Sequence, residues 1–421
     1  MSYRAIRFQL RLTPAQERTF SRWAGMGRWV WNQALARQKS RYEAGEPYAG
    51  YVDMAKWLTQ WRNTPQTAWL REGPVHTQQQ VLRRLDAAFQ RFFANVRAGK
   101  RPGYPRFKTR GSEPGLRFPD KAQIGYDAAN GRVRLPKIGW LRLRHSMQIS
   151  TGIANATVTR EGKRWVVSLQ YTREDAAPHG LAPTLGLDMG VANFYADSDG
   201  ACEAPLRALA RQARRLAYAQ RAVARKRKGS RNRRKAVDRL AALHRRIARQ
   251  RNAWLHGLST ALSHQHPAIA IEDLKVAAMS ASARGTVQAP GRKVRQKAGL
   301  NRSILDQGWS TFRTMLAYKL AAQGGELIAV APAYTSQRCH QCGHTARENR
   351  PTQAKFTCMA CGHAEHADVN AAQNILAAGH AVWAARDGRS RACGEAVRQG
   401  KQRVATRATS VKQEPTEAGR S

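Results

Sequence analysis

The chain has 421 residues, enough for two or three domains with their own cores. It carries 72 Lys and Arg against 28 Asp and Glu, a formal charge of +44. So positive a balance points to a polyanionic partner, nucleic acid by default, and no apolar run reaches the ~18 residues of a membrane span.

Tyr3 to Leu12 alternates apolar with polar or basic residues from Ile6 onward, which predicts a strand with one wet, cationic face. Thr13 and Pro14 then open a helix, with Thr at the N-cap, Pro at the first helical position and Glu17 in the first turn. Helical spacing continues through Trp23, Trp29, Trp31 and Leu35, and these tryptophans read as core more than as stacking platforms. Further helices are predicted at Val52 to Arg62 and Val75 to Val96, so residues 13–98 form a helical unit. The second of these begins H-T-Q-Q-Q. Gln79 and Gln80 could pair bidentately with adenine in a major groove, or simply face water.

Ala98 to Ser112 is cationic and broken by Pro and Gly. Short strands follow at Leu116 to Phe118, Val133 to Leu135, Gly139 to Leu143, Ala156 to Arg160 and Trp165 to Tyr171, suggesting a small β-barrel. The opening strand could belong to it, which would make the helical unit an insertion. Gly180 to Pro183 reads as a linker.

Thr184 to Asp188 is an apolar strand ending in a carboxylate, and Asn193 to Asp197 starts another. Leu206 to Trp254 reads as two long helices around a basic hinge that includes Arg225, Lys226, Arg227, Lys228, Arg233 and Arg234. Between Ala204 and Ile271 the only acid is Asp238. A charge run is commonly just a solvated face, but helices this one-sided repel themselves without a counter-polyanion, so nucleic-acid contact is favoured. Pro267 to Glu272 is a second apolar strand ending in a carboxylate, and the neighbouring Asp273 should face the other way. Val276 to Gln307 reads as a mobile loop, Trp309 to Gln323 as an amphipathic helix, and Glu326 to Ala331 as a last strand.

Cys339, Cys342, Cys358 and Cys361 form two C-x-x-C knuckles, a spacing that closes a tetrahedron around Zn2+. Gly343 and Gly362 follow each pair, where a turn needs positive φ. The alternative is two disulfides; no secretory signal opens the chain, and a reducing cytoplasm disfavours them. Four sulfurs leave no open position, so the zinc is expected to be structural, and His340, His344 and His363 are surplus to it. Cys202 and Cys393 read as ordinary free thiols.

Beyond the ribbon Asp368 opens a helix, giving three singular acids: Asp188, Glu272 and Asp368. A lone carboxylate ending an apolar strand costs desolvation unless a cation meets it. Three converging carboxylates would hold two Mg2+ or Mn2+ ions roughly 3.5–4 Å apart for phosphodiester hydrolysis. Strand, strand and helix placement is the layout of RNase H-like nucleases.

G-L-D-M-G-V-A-N-F, I-A-I-E-D-L-K, Y-T-S-Q-R-C-H-Q-C-G-H, C-x-x-C-G-H and D-V-N-A-A-Q-N-I together resemble the TnpB/OrfB family of insertion-sequence proteins, related to type V CRISPR effectors. W-S-T-F-R-T-M-L-A-Y-K-L and P-R-F-K-T-R are similar to family segments too, so the resemblance covers residues 1 to about 380. It implies a multidomain α/β protein with a RuvC-like nuclease core carrying the four-cysteine ribbon, plus a small β-barrel (wedge) with an inserted helical recognition domain. It sets the wedge at 1–12 and 99–180, the recognition domain at 13–98, the nuclease at 181–335 and 366–380 and the ribbon at 336–365; the tail at 381–421 has no counterpart in it and reads as disordered from its composition. The resemblance implies catalytic acids at Asp188, Glu272 and Asp368, an omega-type guide RNA and a double-stranded DNA target beside a short adjacent motif. With no targeting signal read in the sequence, a cytoplasmic, nucleoid-associated protein is expected. One departure is His366-Ala367 before Asp368, where many relatives carry a charged residue. Two other functions compete: an RNA-guided binder without cleavage, and an accessory transposase, whose His-hydrophobic-His motif is not found here. Monomer or dimer stays open.

Overall fold

The computed structural model describes residues 2–386 except positions 113, 145–148, 150–151, 163, 287 and 332–334. The chain divides into two compact units between Glu174 and Asp175. That divide falls before the linker read at Gly180, because the Ala176 and His179 amides already donate to the carbonyls of Ala322 and Gly324 in the second unit.

The first unit begins with β1 (Ser2–Arg11) and passes straight into α1 (Pro14–Glu43). Thr13 accepts from the Gln16 amide while the Gln16 side chain accepts from the Thr13 amide, so the helix starts in a capping box with Pro at its first turn. Helices α2 (Tyr51–Asn63) and α3 (Val75–Arg97) follow. Strands β2 (Leu116–Phe118), β3 (Gly125–Asp127), β4 (Arg132–Leu135), β5 (Gly139–Arg144), β6 (Ile153–Glu161) and β7 (Arg164–Arg173) complete it. The seven strands pair antiparallel in the order β2-β6-β7-β1-β5-β4-β3, with β1 in the middle. The helices are therefore an excursion between the central strand and its neighbours. Among the described residues no pairing joins β2 to β3, so the backbone ladder is an open row where a barrel was expected. Strand β3 escaped the sequence reading because it lacks apolar alternation; the Asp127 carboxylate instead takes hydrogen bonds from Asn130 and Arg132. One core spans helices and sheet, from Phe8 and Val158 to Phe20 and Leu82. Trp23 and Trp31 are buried in it and Trp29 is half-buried against it.

The second unit opens with β8 (Leu185–Asp188), β9 (Tyr195–Asp197) and β10 (Cys202–Glu203), then α4 (Ala208–Arg211), α5 (Ala213–Ala224) and α6 (Arg231–Gln265). Strand β11 (Ala268–Glu272), α7 (Val276–Met279), α8 (Val294–Gln307), α9 (Trp309–Ala322) and β12 (Glu326–Val330) follow. A small hairpin, β13 (Lys355–Thr357) with β14 (Ala364–His366), leads into α10 over residues 367–386. The main sheet runs β10-β9-β8-β11-β12, with β8, β11 and β12 parallel and β9 and β10 antiparallel. All five residues of β11 are buried, as expected for a central parallel strand.

Three expectations change here. The second basic helix does not stop at Trp254 but continues to Gln265, burying Leu255, Ser259 and Leu262. The stretch expected to be a mobile loop contains α7 and α8. The end of α8 is fixed because the Asp306 carboxylate accepts from the Leu209 and Ala210 amides at 2.9–3.3 Å and Ile304 enters the core. Its start gave no sequence signal, since left-handed Lys293 stands where a capping side chain usually would. Residues 381–386, assigned to a disordered tail, continue α10, with Val382 and Trp383 packing on Ala270, Ile328 and Val330. The remainder of that tail, Cys393 included, lies outside the described residues.

Candidate active site and cysteine ribbon

Strands β8 and β11 are parallel neighbours with Leu187 opposite Ile271, so Asp188 and Glu272 leave the sheet side by side at its C-terminal edge. The third acid comes from another layer. Helix α10 lies directly on β8: a Cβ added to Gly186 would sit 2.2 Å from the Ala372 carbonyl oxygen and 2.8 Å from the Leu376 amide. A second close approach, Gly379 against Ala270, holds the helix over β11. Asp368 stands in the first turn of α10, where the helix dipole favours an anion.

The electrostatics show that Asp188 senses both of the other acids. Burial, then the Glu272 and Asp368 carboxylates, push Asp188 up to about 7, against the opposing pull of Arg350 and the Met189 amide. Burial also raises Glu272, partly offset by the Thr335 hydroxyl, which donates to its Oε1 at 2.9 Å. Arg350 Nη2 donates to Asp368 Oδ1 at 3.0 Å and to the Gln353 carbonyl at 2.6 Å. This edge thus gathers three carboxylates in a chain of strongly positive charge. Hard divalent cations fit such a donor set, since two of its carboxyls resist ionising without one. Asp273 takes no part: its carboxylate is half exposed and paired with Arg313, and its amide donates to the Val330 carbonyl.

The four cysteine sulfurs lie within 4.8 Å of one another, a set that fits one zinc ion. The two knuckles repeat one backbone pattern. The Cys339 amide donates to the His344 carbonyl and the Cys358 amide to the His363 carbonyl, while the Gly343 and Gly362 amides return to Cys339 and Cys358. Both glycines take positive φ, 77° and 71°. Amides of Cys361 and Ala360 aimed at the Cys358 sulfur pull that thiol down to about 6, favouring the thiolate a metal needs. Buried Asn349 bridges the halves: its side chain donates to the carbonyls of Gln337 and His344 and accepts from the Met359 amide.

Asparagines also tie the ribbon to α10. Asn370 and Asn374 each donate to the Arg338 carbonyl, at 2.8 and 2.7 Å, and Asn370 accepts from the His340 amide. Sequence reasoning did not single out Arg350, Thr335, Asn370 or Asn374. The two asparagines carried a signal, being polar residues four apart on a helix otherwise lined by Ala, Val and Ile.

The residues expected to touch nucleic acid lie on other elements than the acids. Gln79 and Gln80 are half-buried in the second turn of α3, while Gln78 is buried and bonded to Arg62 and the Leu70 carbonyl. Arg225, Lys226, Arg227 and Lys228 are exposed in the turn between α5 and α6. Arg233 and Arg234 sit in the first turn of α6, which Ser230 caps by accepting from the Arg233 amide.

Residues 168–283 match the OrfB family of IS605, described as a probable transposase, residues 1–47 match its helix-turn-helix domain, and residues 309–375 match the TNB domain of Cas12f1-like proteins. A protein of Escherichia coli (strain K12) named "Putative RNA-guided DNA endonuclease InsQ" is 46% identical over 98% of this chain and 97% of its own. This chain belongs to the OrfB family. A Streptomyces pristinaespiralis protein with the same endonuclease description is 34% identical to this OrfB chain over 99% of it and 97% of its own length. Among solved structures, the mini-RNA-guided endonuclease CRISPR-Cas_phi3 covers 90% of the chain and 92% of its own at 10% identity, with a TM-score of 0.44. Among the described residues no helix is long and apolar enough to cross a membrane.

Proposed function

We propose that this chain is an RNA-guided DNA endonuclease that hydrolyses phosphodiester bonds at Asp188, Glu272 and Asp368. The observation that carries the reading is the convergence of those three carboxylates at one sheet edge, with Asp188 pushed up to about 7 by burial and then by the other two. The sheet order β10-β9-β8-β11-β12, with acids ending the first and fourth strands in chain order and a third on the helix laid across them, supports an RNase H-like (RuvC) core. Asp188, Glu272 and Asp368 would hold Mg2+ or Mn2+, which when bound supplies an activated water and charge stabilisation for the leaving oxygen. The protein's own groups prepare that place. Thr335 fixes the Glu272 carboxylate, Arg350 keeps Asp368 oriented, and the apolar strands exclude bulk water beneath them.

The named relatives' descriptions support an RNA guide and a DNA target; the family resemblance carries this further, to an omega-type RNA and double-stranded DNA beside a short adjacent motif. The first unit would supply the wedge, from its sheet, and the recognition domain, from α1 to α3, with Gln79 and Gln80 as candidate motif readers. Helix α6 supports phosphate contact on its own terms. Arg231, Arg233 and Arg234 crowd the positive end of a helix dipole with no acid in the first turn, an arrangement a bound phosphate would relieve.

The test pairs cleavage of a guide-matched duplex with a gel shift on the same samples. Asp188→Ala and Glu272→Gln should each lower the cleavage rate by at least ~100-fold while binding survives. Asp273→Asn, paired with Arg313 away from the site, should cost much less. Wild-type cleavage by Asp188→Ala would remove these acids as the cleavage site, whereas guided binding with no cleavage by the unaltered chain would leave a guided binder as the better account.

A further inference from the structure

We propose that His340, His363 and Glu365 form a second metal site, separate from the four thiolates, that takes a borderline transition ion such as Zn2+ or Co2+. The three side chains offer donor atoms within 4.8 Å of one another. One carboxylate oxygen, Glu365 Oε2, lies 3.6 Å from His340 Nδ1 and 3.5 Å from His363 Nε2. The imidazole rings stand edge to face, with centroids 4.6 Å apart.

Those distances are long for ion pairs, because a charge-assisted N–H···O bond spans roughly 2.7–2.9 Å. They suit donors around an ion instead: in a tetrahedral site with bonds of roughly 2.0–2.1 Å, neighbouring donors stand roughly 3.3–3.4 Å apart. Two nitrogens thus approach one carboxylate oxygen at nearly equal separations, as donors around one ion do.

The backbone already holds the ligands in place. The His340 amide is bonded to Asn370 Oδ1 at 3.1 Å, and the His363 carbonyl accepts from the Cys358 amide at 2.8 Å. His340 Nδ1 also lies 3.2 Å from Asn370 Oδ1, a contact that binding through Nδ1 would replace, and Gln373 Nε2 reaches Glu365 Oε1 at 3.5 Å. Gln373 is a polar partner of the kind that orients a metal ligand. The three side chains are 16–25% exposed, so water can complete the coordination. Two imidazoles and one carboxylate select Zn2+, Co2+, Ni2+ or Fe2+ over Mg2+. His340 belongs to the first knuckle, His363 to the second and Glu365 to β14, the strand that leads into Asp368. A bound ion would clamp both knuckles to the entrance of α10.

The test starts from the full chain carrying its tightly held zinc and adds Co2+ alone, then Zn2+ alone. We expect a second equivalent of Co2+ with weak visible d–d bands and no thiolate charge-transfer band, and a higher melting temperature in added Zn2+. Glu365→Gln and His363→Gln, both near-isosteric, should each reduce bound metal from two equivalents to one, leaving the thiolate-held ion. Binding that stops at one equivalent in the unaltered chain, or a second equivalent that persists in both variants, overturns the proposal.

Discussion

The acid edge and the cysteine ribbon each gather donors that fit cations, and they are assembled in opposite ways. Ribbon ligands lie close in sequence on two copies of one turn, and the same local amide–carbonyl bonds shape each knuckle. The acids come from β8, β11 and α10, far apart in the chain, and meet only through strand register and a helix pressed onto a glycine. A locally built site survives small errors elsewhere. A site built by long-range packing transmits every error in that packing to its chemistry.

The sharpest way to break the comparison is to move α10 without touching any acid. Gly186→Val would drive a branched side chain into the Ala372 carbonyl, which an added Cβ would already approach to 2.2 Å. Cleavage should fall as far as in Asp188→Ala, at least ~100-fold, while the ribbon keeps its zinc. Equal cleavage in a guide-matched assay would show that α10 does not position Asp368.

The converse change is Cys358→Ser. We expect the single tightly held zinc to be lost by elemental analysis, solubility to drop and cleavage to fall with it, because Asn370 and Asn374 join the ribbon to α10. Zinc-free protein with full activity would separate the two regions entirely.

A smaller effect is expected from pH. The native value of Asp188, about 7, lies above the ordinary 3.8, so the folded state keeps its proton longer than the unfolded chain. Its favourable contribution is full below about 4 and is lost as pH rises to about 7; raised Glu272 acts in the same direction. Without divalent cations the melting temperature should therefore decline across that window. Asp188→Asn should flatten the decline, and Mg2+ should raise the melting temperature more at pH 8 than at pH 5. A Mg2+ effect independent of pH would count against cation binding at Asp188.

The smallest effect belongs to the exposed turn between α5 and α6. Neutralising Arg225, Lys226, Arg227 and Lys228 together should reduce the salt slope of guide binding by up to ~3–4. Titrations at several salt concentrations would detect this, and an unchanged slope would make these residues merely solvated.

The same contrast explains what could be read before folding. Cys339, Cys342, Cys358 and Cys361 announce themselves by spacing, because spacing is what builds a knuckle. Asp188 and Glu272 were visible as charges ending apolar runs, and β8 and β11 do end there. Arg350, Thr335 and Gly186 were not, since each matters through a neighbour distant in sequence. Helix α8 was missed because its fixing group, Asp306, caps α4 across the fold. The end of α10 was missed because a few apolar residues after a long basic protein's last motif look like a tail until Trp383 finds its core.

The glycine contact under α10 also sets an order of events during synthesis. Ribosomes deliver chains N-terminus first, at roughly 5–20 residues per second. By the time β8 and β11 have emerged, Asp188 and Glu272 can stand side by side, yet the helix bearing Asp368 has not been made. A nascent chain can thus expose its basic helices to RNA for many seconds before it owns a complete cutting edge. Translation itself would keep the blade apart from the handle until the guide has had time to arrive.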